Sequence, residues 1–521
     1  MSDRPADHLP AMPERSSRDG AEWVFDVRRG LYERFPVPPA AFSIDGVDAT
    51  VVAPLDLGIS VGDLVVVELD DGAAWVGQIR GLDLVEREAA QVELVDDDLG
   101  SMTVRPLLRS LRGDAALLGR LDDGCFTPAL APVFGESRLR RATSAEVAAV
   151  LAPPDQSGLV LGPVSGEQGV SAPLRPEGFA RHTFLCGQSG SGKTYTTGVL
   201  LEELLLRTEL PMIVLDPNSD YVHLGQPAAG DTEPGRSYAA RATDIFVARA
   251  RGSEGDGLLL AAHASDLPVE VLAGLARLDP IDDLQEFAAL RRLATSLRPP
   301  YSLADLLVSA EDSGSDHAMR LADRLRNLGV AEWGVWCRPG EPSLPGSGVL
   351  AHRGVVVDLG SLSSTEESAL AALVALQILW DRRRRRVPVL VVVDEAHNLF
   401  PTHPTDTVGR ALLDLGVRIA GEGRKFGLHL LLCTQRPAKL HPSVVSQCDN
   451  LVMLRMNSAG DVDELARTFS HVPEGMVRRA PALRQGEVLV AGPIAPIPRF
   501  LRTRARLSVE GGSDVPTDWA R

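Results

Sequence analysis

Short, continuously apolar runs punctuate the chain beyond residue 180. They fall at 183–186, 212–215, 245–248, 355–359, 389–393, 428–433, 451–455 and 487–491. A run without polar alternation is what a strand covered on both faces requires, and helical segments between several of them favour a largely parallel sheet. Between residues 225 and 347 the pattern changes. Gly/Pro/Glu-rich patches at 226–237 and 252–257 bracket one strand, and 269–297, 303–309 and 318–328 then carry helical spacing. This predicts a helical insertion in an α/β domain spanning 181–507. Residues 21–135 read differently. Valine-rich runs at 50–53, 64–69 and 75–79 are separated by turn signals such as Asp70-Asp71-Gly72, and Asp122-Asp123-Gly124 repeats the signal. Short strands with tight turns predict a small all-β barrel or sandwich with an assembly or docking role. Residues 136–180 read as a linker with one helix over 141–151. Residues 1–20 and 508–521 read as tails.

Composition narrows the classes. Hydrophobic residues make up 44% and charged residues 24%, ordinary values for a soluble globular protein. The net charge of −17 argues against a wholly basic nucleic-acid coat but not against a local basic channel. Five scattered cysteines without metal-like spacing point to a reducing, cytoplasmic setting. No secretory signal is legible, and the longest apolar helical run, 369–380, falls short of the roughly 20 residues that span a bilayer, so no membrane insertion is expected. Arg382 to Arg386 read as a solvated helix end, where cations suit the dipole. Only three of the 53 basic residues are lysines, Lys193, Lys425 and Lys439. In so arginine-rich a chain, lysine marks places where a compact ammonium is needed.

One such place is Gly187-Gln188-Ser189-Gly190-Ser191-Gly192-Lys193-Thr194, which fits G-x-x-x-x-G-K-[ST] at every fixed position. A strand precedes it and a helix over 195–207 follows, so loop amides and the helix N-terminus would cradle phosphates. Lys193 would reach the terminal phosphates of ATP, and the Thr194 hydroxyl would hold Mg²⁺. The run at 389–393 ends in Asp394-Glu395. Asp394 would share the Mg²⁺ shell, and Glu395 would polarise the attacking water. Gln435, after the run at 428–433, lies where ligands bind such sheets and is a candidate for sensing the γ-phosphate. Asp216, ending the second α/β strand, lies on the same side. Arg424-Lys425, ahead of the run at 428–433, either caps a helix or faces a neighbouring copy's γ-phosphate.

Together these stretches resemble the HerA–FtsK group of P-loop ATPases, HerA more than FtsK, over about residues 40–507. The resemblance rests on Arg181-His182 before the P-loop, Asp216-Pro217-Asn218-Ser219-Asp220-Tyr221, Asp394-Glu395-Ala396-His397-Asn398, Gly423-Arg424-Lys425-Phe426-Gly427 and Thr434-Gln435-Arg436-Pro437-Ala438-Lys439-Leu440. All three lysines fall inside matched stretches. Asp220 stands where the family usually has Glu. The resemblance implies a RecA-like, additional-strand ATPase core, a hexameric ring acting on double-stranded DNA, and a front barrel that docks a NurA-like nuclease or another effector. It implies that Arg181 and Arg424 act on nucleotide, one within the subunit and one across the interface. The rival readings are an ATP-controlled scaffold gating an effector and a conjugation- or secretion-type motor.

Overall fold

The computed structural model describes residues 37–511, apart from short stretches at 89–91, 97–99, 105–106, 153–157, 168, 229–231 and 254–256. The expected tail at 1–20 and most of that at 508–521 lie outside the described residues. The chain divides between Glu146 and Val147 into two compact units.

The first unit is all-β, with β1 (Ala40–Ser43), β2 (Asp48–Pro54), β3 (Leu64–Glu68), β4 (Ala74–Glu88), β5 (Val92–Asp96), β6 (Gly100–Val104), β7 (Leu107–Asp122), β8 (Cys125–Pro128) and β9 (Phe134–Arg141). Six of these close into an antiparallel barrel in the order β2-β1-β9-β3-β4-β7, with β7 returning to β2. Strand β2 alternates buried and less buried positions, the mark of a strand with one face on a core. That core holds Val51, Ala53, Val65, Val67, Trp75, Ile79, Phe134 and Leu139. Both turn signals fall at hairpins. Asp123 and Gly124 take positive φ, 46° and 79°, as the tight β7–β8 turn demands. The helix expected over 141–151 starts later, at Ser144, because residues up to Arg141 pair in β9. Thr143 and Glu146 form its start: the Glu146 carboxylate accepts the Thr143 N–H at 2.8 Å, and the Glu146 N–H reaches Thr143 Oγ1 at 3.3 Å.

The second unit is a ten-stranded sheet built from β10 (His182–Cys186), β11 (Met212–Asp216), β12 (Ile245–Arg249), β13 (Leu258–Leu259), β14 (Gly354–Asp358), β15 (Val389–Val393), β16 (Leu428–Thr434), β17 (Cys448–Met453), β18 (Glu487–Gly492) and β19 (Ala495–Arg502). The order is β13-β12-β14-β11-β15-β16-β10-β17-β18-β19, parallel up to β17 and antiparallel after it. Strands β10, β11, β14, β15 and β16 are buried at every residue. Strand β16 lies between β10, which leads into the P-loop, and β15, which ends in the paired carboxylates. This extra strand between the two makes the unit an additional-strand, RecA-like P-loop ATPase fold.

Among the described residues five α-helices occupy the insertion: Glu233–Ala242, which begins inside the Gly/Pro/Glu-rich patch expected at 226–237, and Val269–Leu275, Leu284–Ser296, Leu303–Asp312 and Asp316–Asn327. The single helix expected over 269–297 is two. Pro280 has no N–H to give, and Asp279 Oδ1 accepts the N–H groups of Ile281 and Asp282, which turns the chain. Two further helices, α2 (Thr365–Arg382) and α4 (Thr407–Glu422), pack on each other; α1 (Lys193–Arg207) follows the P-loop and α3 (Ala396–Leu399) follows the carboxylates. Of the arginine run ending α2, Arg383 lies 4.3 Å over the Trp380 ring while Arg384 to Arg386 are exposed.

After β19 the chain runs back along α1. The buried Glu202 carboxylate on α1 accepts the N–H groups of Leu507 and Ser508, the Ser508 hydroxyl and Arg504 Nη1, all within 3.0 Å. Its neighbour Glu203 holds Arg504 Nη2 at 2.8 Å and the Val160 N–H at 2.9 Å.

Candidate active site

Strand β10 delivers the chain into residues 187–192, and α1 begins at Lys193. Gly190 and Gly192 take φ of +72° and +95°, which side-chain-bearing residues rarely adopt, so the loop can wrap its amides inward. Ser191 Oγ is buried without a hydrogen-bond partner. An orphaned polar atom inside a phosphate loop fits an anionic ligand.

Lys193 and Asp394 meet beside the loop. Lys193 Nζ lies 2.5 Å from Asp394 Oδ1 and 3.2 Å from Glu395 Oε1, and all three side chains are buried. Burial works against the lysine's charged form, but the two carboxylates outweigh it and hold the ammonium above its usual range. Asp394 is pushed up by burial and pulled back by Lys193. Its Oδ2 has no partner.

Asp216, Asp220 and Asp394 bring carboxylate oxygens within 4.8 Å of one another. Asp216 spends both oxygens on its own turn, accepting the N–H groups of Asp220 at 3.0 Å and Tyr221 at 2.8 Å, and burial lifts its carboxyl to about 7. That turn presents Asp220, whose Oδ2 lies 3.5 Å from Thr194 Oγ1. Crowded carboxylates on buried Asp216 and Asp394 and half-buried Asp220, with one orphaned oxygen on Asp394, fit a hard divalent cation such as Mg²⁺. Thr194 and Asp394 are the sequence candidates for it, and Asp220 joins them. In the sequence Asp220 stands out only as a departure from the family's usual Glu.

Glu395 leaves β15 at φ 42°, ψ 47°, a left-handed conformation that costs a non-glycine residue roughly 1–3 kcal/mol. Gln435 Nε2 donates to Glu395 Oε1 at 2.6 Å. Gln435 reaches it because β16 is sandwiched between β10 and β15. His397 Nδ1 lies 3.3 Å from Glu395 Oε2 and 3.0 Å from Thr434 Oγ1. Burial, with the nearby Arg436, Lys439 and Lys193 charges, outweighs Glu395 and lowers the His397 pKa, so the ring is neutral near pH 7.

Arg181 and Arg424 sit elsewhere. They precede β10 and β16, at the N-terminal ends of these central strands and opposite the P-loop, and share Asp449: Arg424 Nη1 lies 2.7 Å and Arg181 Nη1 3.4 Å from Asp449 Oδ2. A five-residue strand, roughly 16 Å long, separates that end from Lys193 of the same chain. The structure therefore gathers Lys193, Thr194, Asp216, Asp394, Glu395 and Gln435, and leaves both arginines out of reach of that cluster.

Residues 159–299 match the family model for the central domain of helicase HerA, a stretch that includes the P-loop and the Asp216–Tyr221 turn. A probable DNA double-strand break repair helicase HerA from Methanocaldococcus jannaschii is 35% identical over 128 residues, 25% of each chain. The DNA double-strand break repair helicase HerA of Sulfolobus acidocaldarius is 29% identical over 178 residues, 32% of this chain and 35% of the relative. The matched region thus spans a quarter to about a third of those relatives' lengths. Among solved structures, VirB4 of Thermoanaerobacter pseudethanolicus aligns over 67% of this chain and 97% of its own, with TM-score 0.44 and 14% identity. Residues 159–299 are thus HerA-like.

Proposed function

We propose that this chain is an ATPase motor that, as a hexameric ring, translocates or unwinds double-stranded DNA. The observation that carries the reading is the cluster of Lys193, Asp394, Glu395 and Gln435, set at the ends of β15 and β16 and at the start of the P-loop helix. The loop amides and Lys193 bind the phosphates of ATP. Glu395 takes the proton of the attacking water as its oxygen bonds the γ-phosphorus and the bond to the β-phosphate oxygen breaks. Gln435 holds Glu395 in place. Thr194, Asp394 and Asp220 would hold Mg²⁺, which when bound offsets phosphate charge. Arg181 and Arg424 lie a strand's length from their own chain's cluster, so they serve a neighbouring copy's nucleotide, which supports assembly. The barrel is the docking element for a nuclease or other effector. No helix among the described residues is long and apolar enough to cross a membrane.

The test is ATPase turnover with and without linear duplex DNA across a salt series. Stimulation that falls steeply with salt is expected; its absence at low salt overturns the DNA-motor reading in favour of an effector-gating scaffold or a conjugation-type motor. Glu395→Gln is expected to bind ATP normally and hydrolyse it at least about 100-fold more slowly. Near-normal turnover in that variant removes Glu395 as base.

A further inference from the structure

We infer that Asp358 is a positioning residue for the proposed metal site: its carboxylate holds the Ser219 hydroxyl and thereby sets the turn that brings Asp220 to Thr194. The inference rests on Asp220 belonging to that site.

Strands β11 and β14 run parallel and end together, with Asp216 and Asp358 in register at their last positions. Both residues are buried. They grip the turn from Asp216 to Tyr221 in two different ways. Asp216 takes main-chain N–H groups, those of Asn218 at 3.3 Å and Asp220 at 3.0 Å on Oδ1 and that of Tyr221 at 2.8 Å on Oδ2. Ser219 is held through its side chain instead. Its hydroxyl donates to Asp358 Oδ1 at 2.7 Å. Ser219 also takes a φ of +60°, a left-handed conformation that a serine seldom keeps without outside support. This reversal, one residue before Asp220, decides where the Asp220 carboxylate goes. Its Oδ2 lies 3.5 Å from Thr194 Oγ1. With Asp216 alone, the turn would keep its ends and lose the corner that aims Asp220.

Asp358 is itself fixed. Arg249 Nε lies 3.6 Å from its Oδ2, so the buried carboxylate has a cation beside it. The Asp358 carbonyl accepts the Ser361 hydroxyl at 2.6 Å, and that hydroxyl oxygen accepts the Ala250 N–H at 2.9 Å. The backbone after β14 leaves room for the turn. A Cβ on Gly360 would lie 2.6 Å from Ser219 Oγ and 2.9 Å from the Pro217 carbonyl oxygen. Asp358 thus stands one residue behind a proposed ligand, where outer partners orient the groups that hold a metal.

The test measures Mn²⁺ binding in the presence of ADP by electron paramagnetic resonance. It compares full-length wild type with Ser219→Ala, Asp358→Ala and the double variant. Ser219→Ala is expected to weaken Mn²⁺ binding about 10-fold, with ADP affinity in EDTA changed less than about twofold and Tm by less than about 3 °C. A merely structural role would move the last two as well, and a parallel fall in metal-free ADP affinity would overturn the inference. Asp358→Ala is expected to weaken Mn²⁺ binding at least as much. Adding Ser219→Ala to it is expected to cost less than about twofold more, because the bond they share is already gone. Additive effects, or unchanged Mn²⁺ binding in Ser219→Ala, would overturn the inference. Ser219→Ala removes one hydroxyl from a half-exposed turn, so it decides even if Asp358→Ala folds poorly. Asp220→Asn serves as the control. If it binds Mn²⁺ normally, Asp220 lies outside the metal site and this inference falls with that reading. If it binds weakly while Ser219→Ala binds normally, only this inference falls.

Discussion

Glu146 shows how one carboxylate can govern a local pH response. Its carboxyl is held down at about 2, first by hydrogen bonds from Arg140, against the opposing effect of burial. Arg140 Nη2 and Nη1 lie 2.7 and 2.8 Å from its two oxygens. The folded carboxyl stays ionised to lower pH than the unfolded one at 4.5, so its stabilisation is complete above that value and disappears as pH falls toward 2. Because Arg140 is about one-third exposed, the contribution is about 1 kcal/mol. Glu146→Gln is expected to cut hydrogen-exchange protection of residues 144–151 about fivefold at pH 7, a difference that shrinks as pH falls below 4.5 toward 2. Equal protection in both proteins at pH 7 would contradict the pairing. At this same scale the sequence was most informative about Lys193, Asp394 and Glu395, because the P-loop and the carboxylate-ended strand each lie within a few consecutive residues. His397's contact with Thr434 and the Asp449 link between two arginines were illegible, since each joins segments far apart in the chain.

Strands were read well where they are apolar end to end, as in β15, and poorly where a polar residue is buried and satisfied. Strand β17 begins at Cys448 rather than at 451 because Asn450, fully buried, donates to the Gly178 carbonyl and Thr183 Oγ1 and accepts the Ile494 N–H, each at 3.0 Å. A hydropathy pattern sees only an amide there. Strand β19 is illegible in the sequence because it contains Pro496 and Pro498, which an edge strand tolerates and a central one does not. The return segment after β19 carried no signal at all, since its anchors, Glu202 and Glu203, look like ordinary helix-surface acids. Removing Glu202 leaves Arg504 and the Leu507 and Ser508 amides without their acceptor. Glu202→Ala is expected to lower unfolding stability by about 3–5 kcal/mol in urea titrations; a loss below about 1 kcal/mol would mean the segment is held by other contacts.

For the molecule as a whole, the two arginines at the N-terminal strand ends set the sharpest test of assembly. Arg424→Ala and Lys193→Ala are each expected to be inactive alone. Mixed in equal amounts, they form some interfaces in which an intact P-loop meets an intact Arg424, about a quarter of the total in a randomly mixed ring. ATPase activity of the mixture above either parent is expected. No recovery, with mixed assemblies demonstrated by mass, would show that Arg424 works within its own chain. The extra strand β16 gives that test a mechanical side. Its seven residues are buried throughout, with Arg424 just before its start and Thr434–Gln435 at its end. A stiff rod cannot shift at one end alone. In the proposed ring, a displacement of Arg424 by a neighbour's nucleotide would be carried along β16 to Gln435, and through its hydrogen bond to this copy's Glu395.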